Sequence, residues 1–128
     1  MNCLGLTINP KLNLLLTAII MDHDVSRKSL TINFRDPNYS AERGGFHPVE
    51  IMIDERELIQ YITDFSYLGR GAYPDLSKEI EFDFRNQIFC HLQREYALQD
   101  GAQVFKLWQA NFVAYNDLGA YQIEVSIS

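Results

Sequence analysis

KEIEFDFRNQIFCHL, residues 78–92, decides the fold class. Ile80, Phe82 and Phe84 alternate with Glu79, Glu81 and Asp83, the two-residue period of a strand with one buried face. After Arg85-Asn86-Gln87 come Ile88, Cys90 and Leu92, again at every second position. A three-residue loop sets Phe84 against Ile88, Phe82 against Cys90 and Ile80 against Leu92, and so gathers the apolar side chains on one face. A two-residue loop mixes acids with apolar residues. The register therefore predicts an antiparallel hairpin with Phe82 and Cys90 in the core, and with Glu81 facing His91 outside.

Upstream of this hairpin the same period recurs. Leu30, Ile32 and Phe34 alternate with Thr31 and Asn33; Val49, Ile51 and Ile53 face one way. After the charged turn Asp54-Glu55-Arg56-Glu57, a third strand carries Ile59, Tyr61, Thr63, Phe65 and Tyr67 on one face. Gly69 to Pro74, with two glycines and a proline, reads as a loop. Asn9-Pro10 is a helix start, a capping side chain followed by proline at the first helical position. Leu12, Leu15, Leu16, Ile19 and Ile20 then share one helical face, while Leu14, Ala18 and Met21 form a narrower second stripe. Such a stripe needs a cover, either the chain's own segment Gly69 to Pro74 or a second subunit in a symmetric homodimer.

Downstream, Asp100 with Gln103 reads as a capping pair for a second helix. Val104, Phe105, Leu107, Trp108, Phe112, Tyr115 and Leu118 span its broad apolar arc, with Asn111 inside it as a hydrogen-bonded core amide, and Gly119 is its stop. Tyr121, Ile123, Val125 and Ile127 alternate with Gln122, Glu124 and Ser126 in a final strand. The order helix, five strands, helix, strand predicts an α+β fold: a twisted, mostly antiparallel sheet of about six strands, an N-terminal helix and a helix before the last strand, in one domain over residues 1–128.

The chain's 47% hydrophobic and 22% charged composition is that of a folded domain. Its net charge of -6 repels a phosphate backbone, and its 11 Lys and Arg are scattered rather than gathered in a patch. Nucleic acid is therefore not an expected partner. The charge is also too modest for a phosphate mimic. Cys3 and Cys90 lack any paired spacing, which points to a reduced, cytoplasmic home. Leu12 to Met21 is too short to cross a bilayer, lacks an A-x-A site and runs into Asp22, His23 and Asp24, so no membrane partner is expected.

The candidate site is the loop RDPNYSAERGGFHPVE, which packs Arg35, Asp36, Tyr39, Glu42, Arg43, His47 and Glu50 into 16 residues. Dense polar loops on a rigid sheet are where binding residues concentrate. A purely structural reading competes with this one: Arg35 or Arg43 pairing with Asp36, Glu42 or Glu50 to order the connection. His47 and Glu50, three apart in extended chain, point to opposite faces, so no metal is expected there. A nucleophile elbow, a phosphate loop and a paired-histidine motif are all missing from the sequence, so no catalytic residue and no cofactor is assigned. The row Glu79, Glu81 and Asp83 reads as a solvated strand face.

TINFRDPNYSAERGGFHPVEI (Thr31–Ile51), YITDFSYLG (Tyr61–Gly69), KEIEFDF (Lys78–Phe84) and LWQANFVAYNDLGAY (Leu107–Tyr121) resemble an uncharacterised family of small gamma-proteobacterial proteins, from about residue 29 onward. Such families are often carried on mobile elements or pathogenicity islands. The resemblance implies a fold like that of the mitochondrial matrix acidic protein family, a twisted antiparallel sheet flanked by helices whose members bind protein partners. It carries no catalytic residue with it. A non-enzymatic protein-binding module is thus the leading expectation, and an enzyme or small-ligand binder using the Arg35–Glu50 loop is the alternative.

Overall fold

The computed structural model describes residues 1–68 and 75–128, so the loop read at Gly69–Pro74 lies outside the described residues. Helix α1 (Pro10–Asp22) starts where the proline rule places it, with the Asn9 side chain accepting a hydrogen bond from the Lys11 amide at 2.8 Å. Strands β1 (Leu30–Arg35), β2 (Val49–Ile53), β3 (Ile59–Leu68), β4 (Asp75–Asp83), β5 (Ile88–His91) and β6 (Arg94–Ala97) follow. One 3-10 turn (Leu98–Gly101) leads into α2 (Ala102–Asp117), and β7 (Gln122–Ile127) ends the chain.

The strands form one open sheet in the order β6-β5-β4-β3-β2-β1-β7, antiparallel throughout. Consecutive strands are neighbours except β7, which returns beside β1. Leu30, Ile32, Phe34, Val49, Ile51, Ile53, Ile59, Ile62, Phe82 and Phe84 line its buried face, and both helices cover them. From α1 come Leu12, Leu16, Ile19 and Ile20; from α2 come Phe105, Trp108, Phe112 and Val113. No helix among the described residues is long and apolar enough to cross a membrane.

The sheet has seven strands rather than about six. The additional one, β6, is exposed along its whole length and so has no apolar alternation to betray it. It joins β5 through Leu92 and Gln93, both at positive φ, 50° and 70°. That turn ordinarily announces itself by Asn-Gly or Asp-Gly, and Leu-Gln is silent.

The hairpin register also differs. Asp83 pairs with Ile88, Phe82 with Phe89, Glu81 with Cys90 and Ile80 with His91, so the loop has four residues, Phe84 to Gln87, instead of three. Two local forces select it. Asp83 Oδ1 accepts from the Asn86 amide at 3.0 Å, closing the turn, and Gln87 takes a φ of 56°. Phe89 is thereby buried, stacked on Phe82 with ring centroids 5.5 Å apart. It sits beneath Gly101, where an added Cβ comes within 2.6 Å of its ring.

Helix α2 begins at Ala102 behind the 3-10 turn, and Asp100 makes no capping bond. Asn111 is exposed rather than buried. The buried amide is Gln109, 2% exposed, whose Oε1 accepts from the Asn9 amide at 2.6 Å and whose Nε2 donates to the Thr7 carbonyl at 3.3 Å. Turning Phe105, Trp108 and Phe112 onto the sheet carries Gln109 inward and Asn111 outward.

Candidate functional site

The site is built by two irregularities in β3. Between Met52 and Ile53 the pairing shifts so that Gln60 is skipped: Met52 faces Tyr61 and Ile53 faces Ile59. Ile59 and Ile62 consequently share the buried face, while Tyr61 and Thr63 point to the open one; unbroken alternation would have grouped Ile59 with Tyr61 and Thr63. Between Asp64 and Phe65 a second shift skips Glu79. Asp64 is left on the helix-covered face and Glu79 is re-aimed toward it, away from Glu81. Glu81 stays with Thr63 Oγ1 (2.7 Å) and Lys78 Nζ (3.2 Å). Bulges do this elsewhere: they bend a strand and redirect one side chain.

Asp64 is the centre of the arrangement. Its Oδ1 accepts from His47 Nδ1 at 2.8 Å, and its Oδ2 accepts from the Trp108 indole at 2.9 Å. Glu79 Oε2 lies 3.4 Å from the same His47 nitrogen. The Asp64 hydrogen bond raises the His47 pKa above its ordinary value; burial opposes the shift, and the charges of Asp64 and Glu79 add to it. Above His47, Asp64 and Trp108 opens a cavity of about 310 Å³. Phe46, Trp108, Phe112, Tyr115 and Tyr121 supply aromatic walls, and Asn111 stands among them. The Phe46 ring meets Tyr115 at 4.9 Å and Tyr121 at 6.2 Å, which pins the loop against α2.

The seven residues read from the loop are dispersed by the structure. His47 alone of them lines the aromatic cavity. Arg35, Asp36, Tyr39 and Glu50 border a shallower hollow on the open face of the sheet. Glu42 and Arg43 stand exposed in the tip, where Ser40 and Gly44 exchange backbone bonds of 3.2 and 2.9 Å. Asp36 orders the loop from within, accepting from the amides of Asn38 (2.9 Å) and Phe46 (3.0 Å). Gly45 permits this closure at a φ of 125°, because a Cβ there would come within 2.8 Å of the Asp36 carboxylate. Tyr39 accepts from the Tyr67 amide at 3.1 Å, stacks on Tyr67 and turns an edge to His47. Glu50 accepts from the Tyr61 hydroxyl at 2.6 Å, and burial together with that carboxylate pushes Tyr61 up to about 12. Among the described residues neither Arg35 nor Arg43 makes an ion pair.

Asp64, Glu79 and Trp108 escaped the sequence reading. One signal was present: YITDFSYL carries apolar residues at both parities, which a strand buried on one side does not need, and which a bulge explains.

Residues 10–126 match the family model described as protein of unknown function (DUF2787). The chain belongs to this family. A solved structure of a hypothetical protein from the VSP-II pathogenicity island of Vibrio cholerae is 38% identical, with a TM-score of 0.83 over 94% of this chain and 95% of that one. A second, a conserved hypothetical protein from the VPI-2 pathogenicity island of the same organism, is 34% identical, with a TM-score of 0.82 over the same shares, 94% and 95%. That protein is described as sharing structural homology with the human P32 protein, which is the mitochondrial matrix acidic protein. None of the curated proteins matches the sequence.

Proposed function

We propose that this chain is a non-enzymatic protein-binding module that receives its partner on the outward stripe of α2 and in the aromatic cavity beside it. The observation that carries the reading is the stripe. Val104, Leu107, Tyr115 and Leu118 stand exposed along one side of the helix, Leu107 at 67% and Leu118 at 76%. The stripe is about 21 Å long at 1.5 Å per residue. Its middle members, Asn111 and Tyr115, are also cavity wall. Apolar surface continuous with a concave aromatic pocket is the anatomy of a protein contact, an anchor site within a broader patch.

The partner is a basic segment carrying an apolar or aromatic anchor. The net charge of -6 attracts it, and the Asp64 carboxylate lines the cavity beside His47, with Glu79 behind the same imidazole. Arg43 lies at the projecting loop tip and not in the cavity, which favours a protein partner over a small ligand held between Arg43 and His47. The P32-like fold and the pathogenicity-island origin of the relatives fit a mobile-element or host-interaction role. A second reading, a small-ligand binder, has the cavity itself in its favour, since about 310 Å³ lies within the range of ligand pockets.

The test pairs affinity capture from the source organism with binding to the recovered protein after purification. The wild type and Leu14→Glu retain it, the double variant Leu107→Glu/Leu118→Glu loses it, and affinity falls as salt rises. Retention by the double variant at wild-type affinity overturns the proposal. A small molecule that co-purifies with the chain and is expelled by Asn111→Trp establishes the second reading instead.

A further inference from the structure

Three side chains, His47 and Asp64 of the cavity lining and Glu79 beside them, direct ligand atoms at one point. His47 Nδ1 is 2.8 Å from Asp64 Oδ1 and 3.4 Å from Glu79 Oε2, and the three ligating atoms all lie within 4.8 Å of one another. Atoms bound to one ion at about 2.1 Å sit roughly 3.0–3.4 Å apart, so small side-chain adjustments complete the geometry. We propose that His47, Asp64 and Glu79 form a divalent transition-metal site, with the remaining coordination positions open to the aromatic cavity.

Charge balance supports the site. Two carboxylates and a neutral imidazole sum to -2. A proton on the imidazole leaves -1, whereas a divalent cation brings the sum to zero. Asp64 is 12% exposed and Glu79 27%, a setting where uncompensated charge is costly. Orientation supports it as well. The Trp108 indole holds Asp64 Oδ2 and leaves Oδ1 turned to the site, the kind of outer contact that fixes a ligating carboxylate. Construction is the third argument. Glu79 reaches this point through the bulge at Asp64/Phe65, without which it would share the open face with Glu81.

One nitrogen and two oxygens select zinc, cobalt, manganese or ferrous iron: the imidazole disfavours calcium and magnesium, and the lack of a thiolate in the set disfavours cuprous copper. On loading, Nδ1 exchanges its proton for the metal and Nε2 carries the proton that remains on the ring. The site adjoins the cavity of the proposed docking surface, but its test does not depend on that reading, because occupancy is read on the purified chain alone.

The experiment strips the chain with a chelator and titrates it with Co²⁺ and with Zn²⁺. Trp108 is the one tryptophan of the sequence and touches a ligand, so its emission reports occupancy. The expected result is one ion per chain, a visible Co²⁺ absorption band and a saturable change in Trp108 emission at micromolar metal. Glu79→Gln and His47→Ala each weaken binding by about 100-fold or more, and Trp108→Phe, followed by the Co²⁺ band, by about 10-fold. In chelator, Glu79→Gln melts as the wild type does, which separates lost ligation from unfolding. No saturable response up to millimolar Zn²⁺ or Co²⁺ overturns the proposal, as does unchanged affinity in both His47→Ala and Glu79→Gln.

Discussion

Helices α1 and α2 each lay a buried face on the same side of the sheet, and each carries a second apolar stripe that faces out. On α1 the stripe is Leu14 and Met21 with the small Ala18 between them. On α2 it is Val104, Leu107, Tyr115 and Leu118 around Asn111. The two read alike in sequence and differ in what lies beside them. The α2 stripe runs into a cavity because Phe46, at the base of the long loop, packs against Tyr115 and Tyr121. None of the α1 side chains lines that cavity. An apolar stripe becomes a candidate contact when a neighbouring element makes the surface concave.

The comparison breaks first at the buried faces. Phe105→Ala should cost about 3–5 kcal/mol and Leu16→Ala about 2–5 kcal/mol in denaturant unfolding, since both side chains are nearly inaccessible. Parity within that range confirms that both helices belong to one core; a small value for Leu16 alone would make α1 peripheral.

The support beneath α2 comes next. Gly101→Ala drives a methyl into the Phe89 ring, and a loss of about 1–3 kcal/mol is expected from such overpacking. Thermal melting checks it, and Gly101→Ala combined with Phe89→Leu should recover part of the loss. The tie between the helices is weaker. Gln109→Ala strands the Asn9 amide and the Thr7 carbonyl, for about 1–3 kcal/mol. Faster amide exchange should then appear in residues 7–13.

The outward stripes separate the helices by binding and not by stability. Leu14→Glu and Leu118→Glu should each change stability by less than about 0.5 kcal/mol. Light scattering then tests the homodimer reading of the α1 stripe, under which the wild type runs as a dimer, Leu14→Glu as a monomer and Leu118→Glu as a dimer. A monomeric wild type at micromolar concentration removes the α1 interface.

The smallest effect is chemical. Burial pushes the Cys3 thiol up to about 11, and the less deeply buried Cys90 is also raised, by burial and then by Glu95, Glu81 and Asp83 around it. At pH 8 a thiol reagent should label Cys90 first and reach Cys3 only on unfolding. Equal rates would mean that the segment before α1 opens readily.

Much of the fold was legible. The α+β class, the start of α1, the buried faces of β1 and β2 and the last strand follow from capping chemistry and period-two alternation, which act between residues close in the chain. The candidate site was half legible. The loop was located and its His47 reaches the cavity, but Arg43 and Glu42 project from the tip and Arg35, Asp36, Tyr39 and Glu50 serve the opposite side of the sheet. Two details of α2 are not legible for one reason: a broad apolar arc does not specify its own rotation, and packing on the sheet sets Gln109 inside and Asn111 outside.

Local patterning thus determined by itself every strand except β6, both helices and which face of most of them is apolar, because a side chain's direction repeats with the backbone. Tertiary structure alone decided the parity of β3, the register of β5, the existence of β6 and the meeting of His47 with Asp64, Glu79 and Trp108. Each depends on a bulge or turn whose cost is offset by burial far away in the chain, Phe89 under Gly101 and Ile62 opposite Ile51, and a linear pattern contains no record of what a side chain will be packed against.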